Sequence, residues 1–285
     1  MVNQRQKDKR LLKQVVTKAD TFLSAIQIND KSSDLILANN LYNMPCEKGI
    51  ELIKKAGIKV DCLITSPPYN VGIPYANYKD NKPYKDYINW LKELFKSCQD
   101  IMTVGGTVAI NVGDGKNGSI STHSDIIQFM TRELDYVMVS TIIWSKNTTT
   151  SRRSWGSFKS PRCPSFPTPF EYILLFRYKD KYHEGGKEDI TVTNKEFIDN
   201  SLAIWTIAPE KASKLNHPAP FPLNLPLRII QQMTYRNDLV LDIFSGSGTT
   251  AIAAQMLDRR YIGFELSQEY HKIALNRLEK YSEAA

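Results

Sequence analysis

Two periodicities alternate along this chain, and that alternation limits its fold more than any other feature. Seven short segments are rich in β-branched or aliphatic residues and end in turn formers, so they read as buried strands. They lie at about 34–38 (DLILA), 60–65 (VDCLIT), 107–112 (TVAINV), 137–144 (VMVSTIIW), 171–177 (EYILLFR), 239–244 (LVLDIF) and 260–264 (RYIGF). Helical patterns separate many of them. Residues 84–102 put Tyr87, Trp90, Leu91, Leu94 and Phe95 on one face, and 123–134, 224–235, 248–257 and 267–283 read the same way. Strands alternating with amphipathic helices predict an α/β fold, with a mostly parallel seven-stranded sheet covered on both faces. The 285 residues suffice for one large domain with a small insertion, or for two domains.

Two stretches break the pattern. Residues 145–170 are rich in Ser, Thr, Pro, Arg and aromatics, and 178–220 are polar and end in HPAPFP. Long segments of this kind inside a compact domain are usually functional or disordered. The net charge is +7, and residues 146–162 (KNTTTSRRSWGSFKSPR) contain no acidic residue. Excess positive charge favours a polyanion such as nucleic acid, although a solvated surface carries charge too. Four scattered cysteines (Cys46, Cys62, Cys98, Cys163) form no CxxC pair, and the histidines lack metal-ligand spacing, so no metal is expected. The charged start MVNQRQKDKR is no secretory signal, and no apolar run approaches a membrane span. A reducing cytoplasm fits.

The segment VLDIFSGSGTTAIAAQML reads strand, glycine turn, helix. Gly246 and Gly248 permit positive φ and close approach of a ligand to the backbone. Thr249 or Thr250 can help cap the helix, whose first N–H groups then face the ligand. The next strand ends at Glu265, where a nucleotide-binding α/β fold holds ribose hydroxyls. A plain structural turn and a nicotinamide site are the other readings. Ala251 breaks the GxGxxG spacing, and no Walker lysine follows the glycines.

A second loop leaves the strand VDCLIT as Ser66-Pro67-Pro68-Tyr69-Asn70. It could be a simple proline turn. Two successive prolines also make a stiff loop, able to fix the Ser66 hydroxyl and the Pro67 carbonyl as acceptors for one amino group. Tyr69 offers a ring on which a planar base can stack. Both loops leave carboxyl ends of strands, the ligand side of open α/β sheets, so they can face each other.

With these segments the chain resembles the beta class of amino-group DNA methyltransferases over residues 34 to about 280. TSPPY is similar to the catalytic motif, DIFSGSGTT to the S-adenosylmethionine loop and HPAPFP to the segment before that loop, in that order. WGSFKSP followed by FEYILLFRY resembles the segment after the catalytic core. The resemblance implies a Rossmann-like seven-stranded methyltransferase sheet with circularly permuted motif order and a small recognition insertion. It implies an N-terminal extension (1–33), a catalytic half (34–177), a target-recognition region (178–215) and a cofactor-binding half (216–285).

The implied catalytic residues are Ser66, Pro67, Pro68 and Tyr69. The implied cofactor residues are Asn39, Thr65, His217, Pro218, Asp242, Phe244, Ser245, Gly246, Gly248, Thr249, Thr250 and Glu265. Asn39 stands where the family often has the Asp that contacts adenine. Arg152, Arg153, Trp155, Lys159 and Arg162 are candidate DNA contacts, because arginines among aromatics suit phosphates and unstacked bases. Tyr75 and Lys79 lie in a loop that could close over the base or remain a surface loop.

The expected reaction is direct attack of a flipped base's amino nitrogen on the methyl group of S-adenosylmethionine, with double-stranded DNA as partner. No cysteine nucleophile is needed, so Cys46, in MPCEKG, is read as structural or incidental. The leading Ser resembles the cytosine-N4 branch, and adenine N6 is the nearest alternative. A basic nucleic-acid-binding protein without activity is the alternative of another class. A homodimer and a cognate restriction endonuclease accompany the family reading.

Overall fold

The computed structural model of the protein describes residues 36–284, apart from 73, 76–77, 116–117, 147–155 and 211–221; the side chains at 74, 75, 78, 79, 283 and 284 also fall outside the description. The elements are β1 (Asn40–Asn43), α1 (Cys46–Lys55), β2 (Val60–Thr65), β3 (Pro74–Tyr75), β4 (Tyr78–Lys79), α2 (Tyr84–Gln99), β5 (Met102–Val112), α3 (Thr122–Arg132), β6 (Tyr136–Ser145), β7 (Phe170–Tyr178), α4 (Asn194–Asn200), β8 (Ile204–Thr206), α5 (Asn224–Met233), β9 (Leu239–Asp242), α6 (Thr249–Met256), β10 (Arg260–Glu265) and α7 (Gln268–Ala284). None of these helices is long and apolar enough to cross a membrane.

One sheet of eight strands, in the order β1-β10-β9-β2-β5-β7-β6-β8, organises the chain. All its neighbours pair in parallel except at β7, which runs against both β5 and β6. Alternate strand residues feed two cores. Leu63, Val108, Ile110, Leu239 and Leu241 pack under α1, α2 and α3, whereas Cys62, Ile64, Ala109 and Val240 pack under α5 and α6. This period-two division is why the central strands read as continuous apolar runs.

The sheet has eight strands where seven were expected, and the differences are local. The run 34–38 does not become a strand at its described residues. Asn39 turns the backbone left-handed at φ 62°, and the strand starts at Asn40 instead. NLYN has poor strand propensity, and the free edge of β10 supplies the ladder that makes it one. The extra strand β8 is only three residues long, with Trp205 buried and Ile204 exposed.

The reversal of β7 also decides where the polar segment after it goes. Tyr178 ends at the amino ends of the parallel strands, and the chain runs along that end of the sheet. A Cβ at Gly105 would lie 1.7 Å from the Tyr182 carbonyl oxygen, His183 Nε2 meets Asp238 at 2.8 Å, and Arg236 N donates to Asp189 O at 2.9 Å. The family resemblance makes 178–215 the target-recognition region. Its residues up to about 191 lie at the opposite end from the TSPPY loop, and β8 then returns the chain alongside β6.

Gly105 tests this docking. It has φ 77°, and its own carbonyl accepts from Arg177 at 2.8 Å. Gly105→Ala combines an unfavourable backbone conformation with a clash against backbone. It should lower the unfolding free energy by about 2–4 kcal/mol, read by chemical denaturation.

Candidate active site

β2 and β9 are hydrogen-bonded neighbours, with Cys62 opposite Val240 and Leu63 opposite Leu241. β2 continues through α2 toward β5 on one side, whereas β9 continues through α6 toward β10 on the other. The connections therefore diverge between them, which opens a crevice at their carboxyl ends. The TSPPY loop and the SGSG loop leave these two strands and border that crevice.

The two loops are joined beneath by Asp242, which is 3% exposed. Its carboxylate accepts from Thr65 Oγ1 at 2.9 Å, Phe244 N at 3.1 Å and Thr250 Oγ1 at 2.6 Å. Burial pushes its pKa up to about 6, against the lowering effect of these hydrogen bonds. The family resemblance puts Thr65 and Asp242 among the cofactor residues. Here they bond to each other and hold β2, β9 and α6 in one register.

Gly246 and Gly248 both have positive φ, 49° and 78°. Gly248 is the N-cap of α6, and a Cβ there would lie 2.9 Å from the Cβ of Ala274 on α7. Thr249 and Thr250 do not cap the helix as expected. Thr250 serves Asp242, and Thr249 Oγ1 accepts from Arg277 at 3.1 Å. Arg277 also grips the Ser247 carbonyl and its hydroxyl, so α7 fixes the glycine turn from behind.

Glu265 closes the other wall. Its carboxylate accepts from Gly246 N at 2.8 Å and Ser267 N at 2.7 Å, and burial raises its pKa above the ordinary value. A carboxylate has about four acceptor sites, so capacity remains for hydroxyl donors. Ser245 Oγ is buried with no partner among the described residues, and Phe244 is half-buried, 5.8 Å in ring distance from Trp90 of α2. A glycine turn, an acceptor-rich carboxylate and an orphaned hydroxyl together suit a nucleoside-bearing cofactor.

Asn39 does not belong to this wall. β1 runs parallel to β10 with Asn43 opposite Glu265. Asn39 lies four residues earlier, about 13 Å along the strand. Its side chain and backbone both bond to Tyr261. Asn43 occupies the strand end instead and donates to the Glu265 and Leu266 carbonyls at 2.8 and 3.1 Å. The displaced first strand explains the offset.

At the TSPPY loop, Pro67 is buried and Ser66, Pro68 and Tyr69 are half-buried. Ser66 Oγ donates to Tyr69 OH at 3.1 Å, and Tyr69 OH donates to Glu171 Oε2 at 2.9 Å. Asn111 Nδ2 donates to Tyr69 OH at 2.6 Å and to Glu171 Oε2 at 2.8 Å. Glu171 Oε1 pairs with Lys146, whose ammonium lies 5.0 Å from the Trp144 ring centre. Asn111, Lys146 and Glu171 carry no motif that marks them in the sequence. Asn111 is a polar break near the end of an apolar strand, and Glu171 a charge near the start of another. Only the reversed course of β7 brings them to one place.

The loop beyond Tyr69 is closed at its base by Asp80, whose carboxylate accepts from the backbone N–H of Asn70, Val71 and Gly72 at 2.7–3.1 Å. The β3–β4 hairpin within it carries Tyr75 and Lys79, whose side chains lie outside the description. Arg152, Arg153, Trp155, His217 and Pro218 also lie outside the described residues. Lys159 and Arg162 are exposed in a small loop bridged at Gly156 and Pro164, between β6 and β7 and therefore at the crevice end. Cys46 is buried at the start of α1, and burial raises its thiol pKa far above the ordinary value, which disfavours the thiolate a nucleophile needs. Asp61, His183 and Asp238 cluster at the opposite end of the sheet, where Thr103, Leu239 N and Tyr235 N donate to the carboxylates.

A crevice at a parallel switch point, with a glycine turn and acidic wall facing a serine–proline loop, defines an α/β methyltransferase. Residues 60–276 match the N6_N4_Mtase family, described as DNA methylase, and the chain belongs to that family. M.MjaVI of Methanocaldococcus jannaschii, a type II methyltransferase, is 31% identical over 159 residues, which are 55% of this chain and 81% of that protein. M.ScaI of Streptomyces caespitosus, also type II, is 26% identical over 246 residues, 81% of this chain and 79% of its own. Among solved structures, the DNA modification methylase TTHA0409 of Thermus thermophilus, complexed with S-adenosylmethionine, has a TM-score of 0.65 at 26% identity, over 85% of this chain and 93% of that one. The cytosine-N4-specific PvuII methyltransferase shares the fold, with a TM-score of 0.63 at 19% identity, over 86% and 90% of the two chains.

The Asp242 clamp has a pH signature. A carboxyl whose pKa rises on folding binds its proton more tightly in the folded state. Its contribution to stability therefore falls as pH rises from about 4, the unfolded value, to about 6. The stability of the wild type relative to Asp242→Asn should decline across this window, by on the order of 3 kcal/mol. Denaturant unfolding of both proteins at several pH values measures it, and a flat difference refutes the shift.

Proposed function

We propose that the protein transfers the methyl group of S-adenosylmethionine to the exocyclic N4 of cytosine in double-stranded DNA. The chain is a DNA methyltransferase of the N4/N6 amino-group family, and cytosine N4 is the finer reading. S-adenosylmethionine supplies an electrophilic methyl group on a sulfonium. Gly246, Gly248, Ser245 and Glu265 would hold its nucleoside and amino-acid parts, with Asn43 at the end of the acidic wall. Orphaned Ser245 Oγ and the unspent acceptor capacity of Glu265 support the fit.

The observation that carries the reading is the polarity of Ser66. Glu171, paired with Lys146, accepts hydrogen bonds and donates none, so the single Tyr69 proton points at Glu171. Ser66 then donates to Tyr69, and although Asn111 Nδ2 approaches its oxygen at 3.5 Å, a second lone pair is left for an incoming N–H. The Pro67 carbonyl is a second acceptor on the same stiff loop. Two acceptors draw density onto the amino nitrogen, and no covalent intermediate is required. The target base is extruded from the duplex to reach this buried site, and the Tyr69 ring stacks on it. The leading Ser of SPPY, similar to the cytosine-N4 branch, favours cytosine over adenine.

DNA contacts come from loops at the crevice end, above all the 146–169 segment, which has five basic residues and no acidic one from Lys146 to Arg162. The hairpin segment that carries Tyr75 and Lys79 is the candidate cover for the extruded base. The type II names of relatives support a restriction–modification setting, with a cognate endonuclease as partner. A homodimer belongs to the same reading.

Incubation with unmethylated DNA and S-adenosylmethionine, followed by nucleoside mass spectrometry, should yield N4-methylcytosine. N6-methyladenine would retain the machinery and reject the cytosine assignment. Replacing Lys159 and Arg162 with Ala should weaken DNA binding about uniformly across sequences. The slope of log affinity against log salt should fall by about 1 for each phosphate that is no longer neutralised, with cofactor affinity unchanged.

A further inference from the structure

The hydrogen-bonded chain behind Ser66 ends in a carboxylate, and that ending gives it a use beyond orientation. When the amino nitrogen attacks, the N–C bond forms as the C–S bond breaks, and the electron pair of that bond stays on sulfur. The nitrogen is left with one proton too many and a positive charge. That proton needs an acceptor in a site from which water is largely excluded. Ser66 contacts the amino group in the proposed reading but is too weak a base to keep a proton.

We infer that Glu171 is the terminal proton acceptor of the reaction, reached through the hydroxyls of Ser66 and Tyr69. Each hydroxyl passes one proton on and receives one. The amino proton moves to Ser66 Oγ, the Ser66 proton to Tyr69 OH, and the Tyr69 proton to Glu171 Oε2, so the net change is one protonated carboxyl. The donor–acceptor distances are 3.1 Å and 2.9 Å, and the donation already runs in the required direction. Asn111 spans the last two members, donating to both Tyr69 OH and Glu171 Oε2, and so holds the relay aligned. The Glu171 side chain is 13% exposed and its partner Lys146 28%, which opens a path for the proton to leave to solvent after turnover. Lys146 pairs with the other carboxylate oxygen, Oε1, and leaves Oε2 to the relay. A methyltransferase whose motif opens with an uncharged Ser thus obtains its carboxylate from another strand.

This inference rests on the proposed amino-group chemistry, and the two can fail separately. The measurement is the single-turnover methylation rate of duplex DNA at saturating cofactor, between about pH 6 and pH 9. It compares the wild type with Glu171→Gln, Tyr69→Phe, the double variant and Glu171→Asp. Tyr69→Phe keeps the stacking ring and breaks the relay. Should Glu171→Gln fail to fold, Tyr69→Phe alone decides. Each single variant should slow the rate at least about tenfold at the acid end, with KM for DNA little changed. The defect should shrink as pH rises and solvent base takes over. The double variant should be no slower than the worse single one, because both interrupt one chain. Glu171→Asp should recover part of the rate.

Losses that multiply in the double variant, or that stay constant across pH, assign these residues a structural role and overturn the relay. So do rates within about twofold of wild type, since a relay of proton transfers would contribute far more. A wild type that leaves DNA unmethylated overturns the proposed function, and the relay with it.

Discussion

The crevice depends on one buried carboxylate. Asp242 is almost wholly removed from water and takes three hydrogen bonds, from the end of β2, from its own loop and from the first turn of α6. Burying an unpaired carboxylate would be prohibitive, and these three donors make it tolerable. They also fix the relative height of the two functional loops. The TSPPY loop and the SGSG loop lie far apart in sequence, so nothing local could set their spacing. Register between β2 and β9 places them side by side, and Asp242 locks that register at the end where accuracy matters. Neither threonine is spare, because losing one leaves a buried acceptor less than satisfied.

A second constraint is the direction of β7. Among the paired strands of the sheet it alone is reversed, and this puts the start of β7 beside the ends of β5 and β6. Glu171 of β7, Asn111 of β5 and Lys146, the residue after β6, therefore meet behind Tyr69. The same reversal carries residues 178–191 away from the crevice to the other end of the sheet. One topological choice thus supplies the polar support of the catalytic loop and sets the course of residues 178–191.

Much of this was legible in the residues. The central strands and the helices at 84–99, 122–132, 224–233, 249–256 and 268–284 follow from their periodicity. The two loops follow from proline and glycine chemistry. What escaped had a physical reason in each case. NLYN is a strand because β10 offers an edge, which no local propensity reveals. IWT is too short to show alternation. α1, CEKGIELIKK, begins after a proline and carries a glycine, which hides its pattern, yet Gly49 leaves room for the Phe264 ring. Asn111 and Glu171 look like single polar interruptions until the sheet order is known. The misplacement of Asn39 came from the displaced first strand, and Asn43 is its spatial successor.

The β6–β7 pair is a ladder from Tyr136 opposite Tyr178 up to Ser145 opposite Phe170. The two chain ends that bracket the 146–169 loop are therefore clamped together by the sheet, whatever the loop contains. Closing a longer or shorter connection over such a clamp changes the entropy only logarithmically with its length. The cost of closing the connection is therefore set at the ladder, and its length and sequence can change without moving Glu171 and Lys146 at its two roots.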